Sequence, residues 1–214
     1  MLKVLFENEN LIAVDKPCGL QSIPGGKKDE PDLRSQLEVQ CEQKLFVVHR
    51  LDKEVSGVIV FAKNAETHKY LSLQFEDREV KKKYFAVVHG KMKPGGGVID
   101  QPIRQFGSGR MGIDPGSAKR SLTQFEVVKS SDNFSILNAY PWTGRRHQIR
   151  VHLYSIGHAI VGDMIYGEKE IQRNFSRLML HAAEIEFKNP DGKTIKINSE
   201  IPEELKNILV SEPE

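Results

Sequence analysis

His49-Arg50-Leu51-Asp52 places a carboxylate two positions from a guanidinium, where a short apolar run, Leu45–His49, gives way to a polar loop. The chain continues through Lys53-Glu54-Val55-Ser56-Gly57 into a second apolar run, Val58–Ala62. Both runs read as strands. An ionised acid on a loop pinned by two strands combines solvent access with a rigid support, as a catalytic carboxylate requires. A surface ion pair or a turn-forming aspartate would give the same local pattern. Asp52 alone therefore does not define a chemistry.

A second unusual segment is Thr143-Gly144-Arg145-Arg146-His147-Gln148-Ile149-Arg150. Apolar residues at Ile149, Leu153 and Ile156 predict a helix over about 144–156, with Gly157 as a suitable C′ residue. A helix N-terminus carries partial positive charge and favours acids. Here it would hold Arg145, Arg146 and His147, with Arg150 one turn on. A phosphate, or a carboxylate from elsewhere in the chain, would reverse that cost. Conflicts of this kind collect at functional sites. Lys82-Lys83-Tyr84 opens a further strand, and a tyrosine there suits stacking on a base or proton transfer. It equally suits plain core packing. Gly162-Asp163-Met164-Ile165-Tyr166-Gly167 reads as a tight turn whose acid tethers loops, a structural role.

Several chemistries find no support. His147, His152 and His158 are five and six residues apart, so they do not share a helix face as a zinc-binding His pair does. No phosphate-binding loop, dinucleotide fingerprint or serine-nucleophile elbow is present. Gly95–Gly97 reads as a turn, because no helical pattern follows it. No metal or nucleotide cofactor is expected. Cys18 and Cys41 have no metal-binding spacing and form no disulfide framework. The chain lacks an apolar run near the roughly 20 residues that span a bilayer, and its N-terminus has no secretory pattern. The cytoplasm, or another reducing compartment, is the expected location.

Net charge is only +2 over 214 residues, but it is unevenly spread. Residues 200–214 hold five acids and one base, leaving the preceding 199 with a net of +6. Basic residues cluster at 78–83, 119–120 and 145–150, which fits a polyanionic ligand or a set of solvated faces.

Asp32 and Asn64 are placed to cap helices, the second running to about Asp77. Hairpins are expected at Leu122–Tyr140 and Ala182–Ile197, with a short helix near Glu203–Leu209. Residues 24–31 and 105–118 read as flexible, glycine-rich loops. Strands outnumber helices and are joined mainly by turns. The expected fold is α+β, a single domain over 1–214 with a mixed, largely antiparallel sheet and flanking helices.

Taken together and in order, these segments resemble the RluA-type pseudouridine synthases. HRLDKEVSGVIVFAKN is similar to that family's catalytic motif. VDKPCGL, REVKKKYFAVVHG, TGRRHQIRVHLYSIGHAIVGDMIYG and LHAAEIEF match further blocks, and the resemblance covers roughly residues 9–187. It implies a bent sheet around an RNA-binding cleft, with Asp52 as the nucleophile that attacks a flipped-out uridine. Tyr84 matches the tyrosine that stacks on the base and helps remove a proton. Arg150 matches the arginine that pairs with the aspartate, and Arg50 one that inserts into the RNA stack. His49, Lys82, Arg145 and His147 are expected to bind substrate. The implied partner is tRNA or rRNA, bound by a monomer that needs no cofactor. Val55 stands where the family commonly has Thr, and Ala159 where it commonly has Pro. There is no room for the N-terminal S4-type module of many relatives. The alternative is a catalytically silent RNA-binding or RNA-folding module with the same fold.

Overall fold

Short β-branched and aliphatic runs between turn residues dominate the chain, and they pair as strands throughout the computed structural model. It describes residues 1–25, 30–116 and 118–209. Of the loop expected at 24–31, residues 26–29 lie outside that set. The chain divides into two compact units, Met1–Lys82 with Ala182–Glu200, and Lys83–His181 with Ile201–Glu214.

In the first unit, β1 (Val4–Glu7), β2 (Leu11–Lys16), β4 (Ser56–Ala62), β11 (Leu180–Lys188, from Ala182) and β12 (Thr194–Asn198) lie side by side in that order. The two-residue β3 (Phe46–Val47) pairs with β4. The β1–β2, β2–β4, β3–β4 and β11–β12 pairings are antiparallel. All seven residues of β4 are buried, as its unbroken apolar sequence requires of a central strand. Asp32 caps α1 (Leu33–Cys41) by accepting from Ser35 N, and Asn64 caps α2 (Ala65–Glu76) by accepting from Thr67 N. Leu33, Leu37 and Leu71 are the fully buried contacts of these two helices. Gly57 has φ 111°, and a Cβ there would collide with the Ala182 carbonyl. The Ser-Gly after the Asp52 loop is thus a point of close backbone approach, open only to glycine.

In the second unit, β5 (Lys81–His89, from Lys83), β10 (Phe134–Pro141), β9 (Leu122–Ser130) and β6 (Gly95–Asp100) form an antiparallel run in that order. β7 (Ile103–Gln105) and β8 (Met111–Ile113) make a separate hairpin. Its Ile103 and Met111 pack with Val151 and Tyr166 in a small apolar cluster. Helix α3 (Gln148–Ser155) crosses this unit, followed by α4 (Lys169–Gln172) and, near the C-terminus, α5 (Glu203–Lys206) with a 3₁₀ turn at Asn207–Leu209.

Three expectations are corrected here. Gly95–Gly97 is strand, not turn. Gly97 lies against the Phe125 ring of β9, and a Cβ on Gly96 would meet the Phe125 carbonyl, so cross-strand fit overrides glycine's turn preference. Residues 105–118 are not loop throughout their described length, because they carry β8 and the anchored side chain of Met111. Ser117 is outside the described residues. The helix begins at Gln148, since His147 is left-handed at φ 55°. Arg145, Arg146 and His147 therefore precede the helix rather than occupy its first turn. No helix among the described residues is long and apolar enough to cross a membrane.

Candidate active site

The loop that carries Asp52 is held along its whole length. His49 Nε2 accepts from Val60 N at 3.0 Å, and its ring stacks on Phe75 at 4.9 Å between centroids. Ser22 Oγ donates to Leu51 O at 2.7 Å and accepts from Leu51 N at 3.1 Å. Val55 N closes a turn on Asp52 O at 3.1 Å. Lys53 O accepts from Gly19 N at 2.8 Å and from Lys16 Nζ at 3.1 Å. Lys16 is fully buried, and its ammonium also donates to the carbonyls of Pro17 and Leu20. A buried ammonium is costly unless its donors are satisfied, and here its three carbonyl partners tie the VDKPCGL segment to the Asp52 loop. Asp52 itself is half-buried and Arg50 is exposed.

His49 has a consequence for acid stability. Burial, with the Lys82 cation nearby, pulls its pKa from 6.5 to about 3. The bond it accepts from Val60 also requires an unprotonated Nε2. The unfolded chain binds this proton near pH 6.5 and the folded chain only near pH 3. The stability it contributes is therefore complete above about pH 6.5 and is lost as pH falls toward 3. His49→Phe is expected to be less stable at pH 7 and to show a flatter loss of stability between pH 6.5 and 4 in urea melts. An unchanged pH slope would contradict this role. Lys82 is half-buried, and burial lowers its pKa to about 8.

In the second unit, Tyr84 lies on β5 opposite Ala139 of β10 and is half-buried. Arg150, only 2% exposed, makes a two-pronged pair with buried Asp163, Nε to Oδ2 at 2.7 Å and Nη2 to Oδ1 at 2.8 Å. Asp163 Oδ1 also accepts from the backbone N–H groups of Ile165 and Tyr166. A carboxylate that compensates a cation in the first turn of α3 thus comes from the Gly162–Gly167 turn. Gly162, at φ 76°, has no space for a Cβ against the Arg177 carbonyl, so that turn is fixed as well. The Tyr166 ring lies under the Arg150 guanidinium at 5.4 Å, and its hydroxyl bonds His147 Nδ1 at 2.8 Å. His147 is buried against this ring rather than displayed. Gln148 organises the approach to α3. Its Oε1 accepts from Thr143 Oγ1 and Arg145 N, and its Nε2 donates to Leu122 O and Thr123 Oγ1. Arg145 Nε is buried with no acceptor among the described residues, whereas Arg146 is exposed.

The residues read from sequence thus fall into two sets. His49, Arg50, Asp52 and Lys82 belong to the first unit; Tyr84, Arg145, His147 and Arg150 belong to the second. Lys16, Ser22, Gln148 and Tyr166 hold these segments and were not singled out. Only their presence inside longer motif blocks could have drawn attention to them, because their partners are distant in sequence.

An acid on a pinned loop, and an arginine fixed by two-pronged pairing at a helix start, sit on the fold of pseudouridylate synthase domains, a class of RNA-modifying isomerases. The human RNA pseudouridylate synthase domain containing 1 superimposes with a TM-score of 0.82 at 26% identity, over 94% of this chain and 83% of that one. Residues 10–155 match the family described as RNA pseudouridylate synthase. The ribosomal large subunit pseudouridine synthase D of Zymomonas mobilis is 33% identical over 224 residues, 95% of this chain and 70% of that protein. The dual-specificity RNA pseudouridine synthase RluA of Vibrio cholerae is 38% identical over 191 residues, 88% and 78% respectively. The chain belongs to the RNA pseudouridylate synthase family, and its reaction is the isomerisation of uridine to pseudouridine in RNA.

Proposed function

We propose that Asp52 is the nucleophile of this reaction and that the substrates are uridines in tRNA or rRNA stem-loops. The observation that carries the first part is the Asp52 loop, a half-buried carboxylate whose neighbours on both sides are fixed by hydrogen bonds to three other segments. Such fixing is what covalent catalysis needs, because the reacting atom must be held in attack geometry. Attack by Asp52 on the flipped-out nucleotide is followed by cleavage of the N1–C1′ bond and rotation of the base. A C5–C1′ bond then forms, C5 gives up its proton, N1 takes one up, and the carboxylate is regenerated. Bonds and electrons balance without an oxidant or reductant. Tyr84 supplies the stacking ring and assists loss of the C5 proton. The base must first leave its stack, at a cost of a few kcal/mol that stacking on an aromatic ring offsets in part.

Arg50, exposed on the Asp52 loop, is assigned to the RNA stack vacated by the uridine, and Lys82 and Arg145 to phosphate. His49 and His147 act by holding their loops. The two free cysteines fit a reducing compartment such as the cytoplasm.

Tritium release from RNA labelled at uridine C5 tests this reading, because only replacement of the C5 hydrogen liberates the label. Wild-type protein is expected to release tritium from tRNA, rRNA fragments or both, and no release from either would reject the substrate class. Tyr84→Phe keeps the ring and removes the hydroxyl. It is expected to slow single-turnover release by roughly 10²-fold or more with RNA affinity changed far less. Equal rates would remove Tyr84 from the proton step.

A further inference from the structure

Outside the residues assigned above, the second unit has a groove of about 370 Å³ between the β7–β8 hairpin and α3. Phe106 and Tyr154 are 39% and 47% exposed at its rim, with no protein segment covering them among the described residues. Met111, Val151 and the buried Tyr166 form part of the lining. Arg110 places its guanidinium 5.1 Å from the Tyr166 ring and 5.9 Å from that of Tyr154. Among the described residues it has no carboxylate partner. Arg104 stacks on Phe106 at 4.5 Å and also pairs with Asp114. The Phe106 ring lies over Gly112, where a Cβ would be 2.8 Å from it, so the glycine makes room for the ring. No acidic residue lines the groove.

Aromatic faces beside unpaired guanidinium charge, with acids absent, form a surface suited to a π-system attached to phosphate. We propose that this groove is a second RNA subsite, which takes an unstacked nucleobase of the substrate other than the uridine that reacts. The proposal rests on the reading of this protein as an RNA enzyme and adds where a further base is held. Phe106 and Tyr154 provide the stacking surfaces, and Arg110 provides the charge that attracts the adjoining backbone. The complementarity is to a polyanion rather than to an acidic peptide, because the aromatic surface matches bases. An α-helical or extended peptide would leave Arg110 without an acceptor unless it happened to place a carboxylate there.

The test measures fluorescence anisotropy with two labelled single strands of about 12 nucleotides, within the usual span of a single-strand site. One carries all its bases and the other is the abasic ribose-phosphate chain of equal charge. Wild-type protein is expected to prefer the base-bearing strand by roughly 5- to 150-fold, the range that stacking of one base supplies. The double variant Phe106→Ala/Tyr154→Ala changes two exposed side chains and is expected to keep a cooperative thermal melt while its preference falls by about fivefold or more from the wild-type value, the remainder coming from stacking on Tyr84. A double variant that retains the wild-type preference overturns the groove assignment, and so does a wild-type protein with no preference for bases. Binding is read without turnover, so either result leaves the isomerase reading intact. That reading stands or falls on tritium release by the wild-type enzyme.

Discussion

Asp52→Asn protein is expected to fold, to bind RNA and to form pseudouridine more slowly by about 10⁴-fold or beyond, as loss of a catalytic nucleophile does elsewhere. The substitution keeps the shape of the side chain and removes its charge. Several bonds that hold the loop are made by neighbouring residues. These are the Ser22 contacts of Leu51, the Val60 bond of His49 and the Lys16 contact of Lys53. None of them requires the carboxylate. An amide oxygen is a poor nucleophile, so chemistry fails while architecture persists. Single-turnover tritium release measures the rate, and a cooperative melt confirms the fold. Retained turnover would remove Asp52 from the reaction.

Asp163→Ala is expected to be the most damaging substitution for stability among those considered. It leaves the Arg150 guanidinium, 2% exposed, without its two-pronged partner, and it strips acceptors from the N–H groups of Ile165 and Tyr166. Breaking a buried pair from one side costs about 3–5 kcal/mol, or roughly 6–20 °C in Tm for a chain of this size. Removing Asp163 leaves the buried guanidinium short of its two-pronged acceptor, and that desolvation cost adds to the lost attraction. Adding Arg150→Met to Asp163→Ala should therefore recover part of the stability while activity stays low. Additive destabilisation in the double variant would show that the pair is not the unit that matters.

Local signals were read from the sequence with most success. Asp32 and Asn64 cap the helices expected of them, and the Leu122–Tyr140 and Ala182–Ile197 hairpins form as β9–β10 and β11–β12. The Asp52 loop lies between strands, as its flanking apolar runs imply. The cationic segment before α3 calls for an anion from elsewhere in the chain, but local sequence marks Asp163 only as a loop tether. Glycine misled twice, at Gly95–Gly97 and at 105–118, because pairing with β9 and packing of Met111 outweigh turn propensity there. The left-handed His147 shortened α3, and no local pattern marks it. Lys16 and Gln148 went unnoticed because each is defined by partners that only the fold brings near.

The most direct test of the account is pseudouridine mapping by carbodiimide labelling and primer extension. Total RNA from cells lacking this protein is compared with RNA from the same cells carrying the wild-type or the Asp52→Asn chain. One or a few sites are predicted to vanish with the protein and to return only with the wild type. Sites that return with Asp52→Asn would contradict the assignment of Asp52. A map unchanged by loss of the protein would point to a silent RNA-binding module instead of an enzyme.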